Sequence, residues 1–284
     1  MFWAQSWKEA IMKRDVRLFI SDVDGTLLNP QKELSPATIK AVQRLQSAGV
    51  HFALVSNRPP KGLEWIIEVL DVRGACAALN GGLIIVRDST LTVLSERSLR
   101  PAVAQEIIGT IERYALDPWI YTRAEWYVSR IDGPHVRHDA EFAQLSPHPF
   151  ETLGDISEPV IKIMGVSDNY GLVAACEDEL RRHFADQLSV SRSLSNRLDI
   201  THRDANKGAA ADAIAGVLGV SMEYVATAGD SETDIAMFRR SAISIAMGQA
   251  SAEVHRAATH ITVSNAQDGL AWAIEELILK QHVN

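Results

Sequence analysis

Leu18-Phe19-Ile20-Ser21-Asp22-Val23-Asp24-Gly25-Thr26 runs from an apolar strand into two carboxylates two residues apart and then a glycine turn. At the carboxyl end of a strand in an open α/β sheet, side chains project into the crevice where such folds place ligands. Two acids at one such point repel each other unless they share a cation or a proton. A magnesium ion, with one aspartate left to act as nucleophile or base, resolves the repulsion.

Working outward, Pro36 to Ser47 carries Ile39, Val42 and Leu45 at helical spacing, with Ser35 as N-cap and Gly49 at the stop. Val50 to Val55 reads as a second buried strand, Pro59 to Leu70 as a helix and Ala75 to Leu79 as a third strand, ending at Asn80-Gly81-Gly82. That order is a βαβαβ unit and predicts a parallel, right-handed sheet. The alternation resumes with helix 206–218, strand 224–228, helix 231–239, strand 242–246, helix 251–257, strand 261–263 and a last helix from Gln267.

Between the halves, helices at 101–114 and 170–184 alternate with aromatic and β-branched strands at 119–128 and 160–166, the texture of an α+β insert with a largely antiparallel sheet. The expected organisation is a discontinuous α/β core, residues 1–86 and 200–284, interrupted by a cap at 87–199. Met1 to Arg14 forms an N-terminal extension: an amphipathic turn or leader without the apolar core of a signal peptide.

Other strand ends carry chemistry. Ser56-Asn57-Arg58 follows the second strand ahead of a helix beginning at Pro59; a hydroxyl and free N–H groups there make an anion site, or else a helix cap with a solvated arginine. Lys207 opens the first helix after the insert, where the macrodipole disfavours a cation and an anionic partner compensates, although a lone lysine is ordinarily solvated. Asp230 ends another strand, and Asp234 lies one helical turn further on; both face one point, or cap the helix. Together these positions converge on one crevice.

Asp22-Val23-Asp24-Gly25-Thr26, Ser56, Lys207 and Gly229-Asp230 with Asp234 resemble motifs one to four of the haloacid dehalogenase superfamily. The insert after Asn80-Gly81-Gly82, with Met247-Gly248, Ser264-Asn265 and Asp268-Gly269 late in the chain, is similar to Cof-type (class IIB, C2B-capped) phosphatases. The resemblance runs from residue 16 almost to the end and implies a Rossmann-like parallel-sheet α/β core with a C2B-type α+β cap.

It implies Asp22 as the nucleophile that becomes an aspartyl phosphate and Asp24 as the proton carrier. Mg2+ would be held by Asp22, the main-chain carbonyl of Asp24, Asp230 and, through water, Asp234. Ser56, Asn57 and Lys207 would hold the phosphoryl oxygens, and Arg58 and Asn80 would touch the leaving group. Three positions depart from the pattern: Ser56-Asn57-Arg58 stands where Thr-Gly-Arg is common, Thr233 replaces an asparagine, and Gln249 replaces the asparagine after Met-Gly.

A net charge of -8 argues against a nucleic-acid binder, which needs a basic face. No apolar run is long enough to cross a bilayer. Cys76 and Cys176 read as reduced core residues of a cytoplasmic protein. A calcium loop over Asp22, Asp24, Thr26 and Glu33 fails because Leu27 stands where glycine is required. The expected partner is a small phosphorylated metabolite, a sugar phosphate or similar monoester, and the expected state a monomer or weak homo-oligomer. A sugar phosphomutase and a phospho-ligand sensor with little turnover are the rival readings. In the cap, Arg123, Trp126, Tyr127, Arg130, His135 and His138 line a pocket or belong to its core and surface.

Overall fold

A computed structural model of the chain describes residues 15–87 and 90–280; the extension read over Met1 to Arg14 lies outside them. In chain order the strands are β1 (Leu18–Ser21), β2 (His51–Leu54), β3 (Ala75–Ala78), β4 (Leu83–Arg87), β5 (Leu91–Glu96), β6 (Asp117–Tyr121), β7 (Trp126–Val128), β8 (Pro147–Pro149), β9 (Lys162–Val166), β10 (Leu188–Leu194), β11 (Arg197–His202), β12 (Val225–Gly229), β13 (Ile243–Ala246) and β14 (His260–Ile261). The chain divides into two compact units. One holds the described residues up to Val55, Ile66–Cys76 and those from Ala211 onward; the other holds Ser56–Trp65 and Ala77–Ala210.

The first unit is built on a parallel sheet of order β14-β13-β12-β1-β2. β1 and β12 are central and buried along their whole length, which is why they read as unbroken apolar or small-residue runs without alternation. From β1 the chain moves to β2 on one side, and it returns from the insert as β12 on the other. That reversal makes the β1/β12 carboxyl edge a topological switch point, where ligands bind in open α/β sheets. The helix Pro36–Ser47 forms as expected, its Ser35 hydroxyl accepting from the Thr38 N–H at 3.1 Å.

The second unit contains a six-stranded sheet of order β10-β11-β9-β6-β7-β8, antiparallel except for the β7–β8 pair. Its side chains alternate between two faces. Ile120, Ile163, Leu198 and Ile200 point to one face and pack with Ile107, Ile111, Val173 and Leu180 of the helices Pro101–Arg113 and Tyr170–His183. The opposite face carries Trp119, Tyr121, Trp126, Lys162, Arg197 and Asp199, all buried.

Several expectations change. β3 stands in a separate three-stranded sheet with β4 and the antiparallel β5, rather than as third strand of the parallel sheet. The chain leaves β2 after four residues, and the backbone link to β3 beyond it is one bond, Ser56 N–H to the Ala77 carbonyl at 2.9 Å. The aromatic stretch 119–128 is two strands, because Thr122 and Glu125 close a turn through N–H to carbonyl and N–H to hydroxyl bonds, both 3.0 Å. The last helix is α-helical only over Gly269–Ala273, continuing as a π-helix over Ile274–Leu279. No helix among the described residues is long and apolar enough to cross a membrane.

Candidate active site

Adjacent parallel strands bring the acids together. The Asp22 N–H donates to the Ala228 carbonyl at 2.9 Å, so the exits of β1 and β12 lie side by side and Asp22 and Asp230 leave the same edge. Asp22, Asp230 and Asp234 each offer a carboxylate oxygen within 4.8 Å of the others, with Asp22 and Asp234 buried. Carboxylates this close repel one another, and a cation seated among them offsets that repulsion. An all-oxygen donor set selects a hard cation such as Mg2+ or Ca2+.

The turn after β1 is shaped for this crowding. Gly25 adopts φ +91°, and a Cβ there would come within 2.3 Å of an Asp230 oxygen. Only glycine combines that backbone with that approach. The Thr26 hydroxyl donates to Asp230 Oδ1 at 3.0 Å. Gln249 Nε2 donates to the Gly25 carbonyl at 2.6 Å, while Gln249 Oε1 accepts from the Asn265 N–H and Asn265 Nδ2 donates to the Leu28 carbonyl. The glutamine that departs from the family pattern thus ties the acid-bearing turn to a distant loop.

Asp234 fulfils both readings made of it. Its Oδ2 accepts from the Asp230 N–H, the Ser231 N–H and the Ser231 hydroxyl at 2.8–3.0 Å, closing a capping box over the Glu232–Asp234 turn. Thr233, the other departure, meets the Ser231 hydroxyl at 2.7 Å. The Asp24 carboxylate stands outside the trio and pairs with Lys32 Nζ at 2.9 Å. Lys32 escaped the sequence reading: it lies in a loop at φ 63°, a placement no spacing announces.

In the second unit, Ser56 is buried, and its hydroxyl oxygen accepts from the Arg58 N–H at 3.1 Å, leaving its own O–H directed elsewhere. Arg58 is buried and not a solvated cap; one of its nitrogens donates to the Gly62 carbonyl at 3.4 Å. Leu79, Asn80 and Gly81 are consecutively left-handed, at φ 49°, 59° and 90°. The first two are held by N–H bonds to the Arg58 and Ser56 carbonyls, both 2.9 Å, so a strained turn clasps the 56–58 loop. A Cβ on Gly81 would come within 2.9 Å of the Asn206 carbonyl oxygen, and so the same turn abuts the start of the helix Lys207–Leu218.

Lys207 is 2% exposed, which overturns the reading of a solvated charge. A lysine buried at a helix N-terminus carries both a desolvation cost and an unfavourable dipole, and an anion compensates for both.

The cap candidates divide. Arg123 forms an ion pair with Glu96 and Arg130 with Asp117, while a ring nitrogen of His135 meets Asp168 and one of His138 meets Asp139; in each contact at least one side chain is exposed. Trp126 is fully buried, stacked on Tyr121 at 5.8 Å, whereas Tyr127 packs on the other face against the helical core. Burial, with Asp139 and Asp199 nearby, holds the Tyr121 hydroxyl well above the ordinary phenol range; Arg197 opposes this in part. The trio Asp22, Asp230 and Asp234 is the one group of metal-ligating side chains among the described residues.

Known proteins resemble this chain along nearly its whole length. Residues 19–274 match the family of haloacid dehalogenase-like hydrolases. The 5-amino-6-(5-phospho-D-ribitylamino)uracil phosphatase YcsE of Bacillus subtilis is 27% identical over 267 residues, covering 93% of this chain and 97% of that protein. A haloacid dehalogenase-like hydrolase from Bacteroides thetaiotaomicron superposes with TM-score 0.82 at 28% identity, covering 93% of this chain and all of the other. The subclass IIB sugar phosphatase BT4131 shares the fold, with TM-score 0.81 at 20% identity over 92% of this chain and 98% of its own. With the acid trio at the switch point and a match spanning nearly its whole length, the chain belongs to the haloacid dehalogenase-like hydrolases, as a Cof-type phosphatase.

Proposed function

We propose that this phosphatase hydrolyses a small phosphomonoester with a hydroxyl-rich leaving group, a sugar or polyol phosphate, through an aspartyl-phosphate intermediate and with Mg2+. The observation that carries the reading is the trio Asp22, Asp230 and Asp234 on neighbouring strand ends. Asp22, the Asp24 main-chain carbonyl, Asp230 and, through water, Asp234 would hold the ion. Its chemistry when bound is to offset the negative charge of the carboxylates and of the phosphoryl group.

Asp22 attacks phosphorus and the bond to the leaving oxygen breaks, Asp24 delivering a proton to that oxygen. Asp24 then takes a proton from water, which attacks the aspartyl phosphate and returns Asp22 as a free carboxylate. The Ser56 hydroxyl, the Asn57 N–H and Lys207 bind the phosphoryl oxygens, whose charge is greatest in the transition state. Arg58 and Asn80 contribute at the leaving-group side. The hydroxyl-rich substrate class is supported by the ribityl phosphate named for YcsE and the sugar phosphatase BT4131.

Phosphate release from p-nitrophenyl phosphate, measured with Mg2+ and with EDTA, tests the reading. Release that requires the ion and disappears in Asp22→Asn supports it. Release indifferent to EDTA, or retained in Asp22→Asn, overturns it, and interconversion of sugar-phosphate isomers without phosphate release would show a mutase.

A further inference from the structure

The loop that follows Asp24 is tied more firmly than an exposed turn requires, and its bonds set the place of Lys32. Asn29 organises it: Asn29 Oδ1 accepts from the Gln31 and Glu33 N–H groups, both at 2.9 Å, and the Asn29 carbonyl accepts from the Lys32 N–H at 2.9 Å. The Asn29 N–H donates to the Glu33 carbonyl at 3.0 Å. An isolated parallel bridge joins Asp24 to Leu28 at the base of the loop, and Asn265 Nδ2 holds the Leu28 carbonyl at 2.9 Å. So held, Lys32 is left-handed at φ 63°, a backbone that residues other than glycine rarely adopt, and its ammonium lies 2.9 Å from Asp24 Oδ1. Every residue of this arrangement belongs to the first unit.

Stability gives little reason for the contact. The Lys32 and Asp24 side chains are 39% and 35% exposed, and ion pairs so placed contribute little to folding. An uncommon backbone conformation that the surrounding structure over-determines points to function instead. What the contact achieves is to fix the direction of one carboxyl group. An aspartate turns about two torsions, whereas a proton carrier has to stay within hydrogen-bond reach of the atom it serves.

Resting on the reading of Asp24 as proton carrier, we infer that Lys32 is a positioning residue for that carboxyl group. With Oδ1 held by Lys32, Oδ2 is the atom that carries the proton. It gives the proton to the leaving oxygen as the phosphorus–oxygen bond breaks and its electron pair passes to that oxygen; it later takes a proton from the water that attacks the aspartyl phosphate. Lys32 acts only through Asp24, and its effect is greatest where the leaving oxygen most needs the proton.

The test compares kcat/KM of the full-length protein, with Mg2+, for phenyl phosphate and p-nitrophenyl phosphate. The two esters are alike in shape, but phenolate is a strongly basic leaving group that gains from protonation, whereas p-nitrophenolate departs readily without it. In Lys32→Met, the ratio of kcat/KM for the phenyl ester to that for the p-nitrophenyl ester should fall about tenfold or more at an unchanged melting temperature. Lys32→Gln serves where the methionine variant does not fold. Lys32→Arg keeps a cationic donor and should return the ratio to within about threefold of wild type, and Asp24→Asn should lower it at least as far as Lys32→Met does. A ratio within about twofold of wild type in Lys32→Met, or one that Lys32→Arg lowers just as far, overturns the inference about Lys32 alone. A ratio left intact by Asp24→Asn overturns the proton-carrier reading, and a wild type that releases phosphate from neither ester overturns the phosphatase reading, each taking this inference with it.

Discussion

The parallel sheet and the six-stranded antiparallel sheet concentrate polar groups in opposite ways. In the first, Asp22 and Asp230 come after the last residue of a strand, so each is announced by an apolar run and followed by a turn. In the second, Lys162 and Asp199 stand inside strands, on one face, and meet only because β9 and β11 pair in a given register. Groups at strand ends are free to carry chemistry without breaking a layer of packing. Groups within strands are bound into that packing, and their chemistry is inseparable from the shape of the face they share.

The sharpest way to break this contrast is at Asp22. Asp22→Asn should lower kcat for any phosphomonoester by at least about 10³-fold with an unchanged far-UV circular dichroism spectrum, as expected of a covalent nucleophile at a strand end. Lys207→Met should follow at about 10²- to 10³-fold, the range seen when one donor to a developing charge is lost. A residual activity above a tenth of wild type would remove Lys207 from the site.

Stability separates the two kinds of position further. Gly25→Ala places a Cβ against Asp230 at positive φ and should cost about 1–3 kcal/mol in urea unfolding, together with weaker Mg2+ affinity by isothermal titration calorimetry. An unchanged midpoint would show that the turn yields freely.

The buried thiols supply the smallest effect, common to both units. Burial pushes Cys76 and Cys176 up to about 12 from an ordinary 9.0. The unfolded chain releases these protons first, so this contribution to stability is intact below pH 9 and is lost as pH rises from about 9 to 12. Near pH 10 the loss at the fully buried Cys76 should be about 1 kcal/mol, which Cys76→Ala would remove from the pH dependence of the unfolding free energy.

What was legible follows the same division. The strand ends at Asp22, Ser56 and Asp230, and the helix capped by Ser35, were readable because motif and element are contiguous in the chain. Lys32 and Gln249 were not read as supports of the acid turn, since loop geometry alone brings them to Asp24 and Gly25. The place of β3 hinged on which neighbour it pairs with, a choice its four small residues, Ala-Cys-Ala-Ala, do not encode. Lys162 carried no local sign at all: a lysine beginning an apolar strand looks like an ordinary charged flank until Asp199 arrives from another strand.

The left-handed turn Leu79-Asn80-Gly81 has a consequence for how such a chain is rebuilt. It lies where the polypeptide enters the insert, and the side-chain-free Gly81 sits against Asn206, where the polypeptide comes out again. Entry and exit thus share a single seam. A foreign segment with its ends equally close, spliced between Gly82 and Asp204, would have its two junctions side by side, making this seam the natural place to graft a new selectivity while leaving the acid trio's residues untouched.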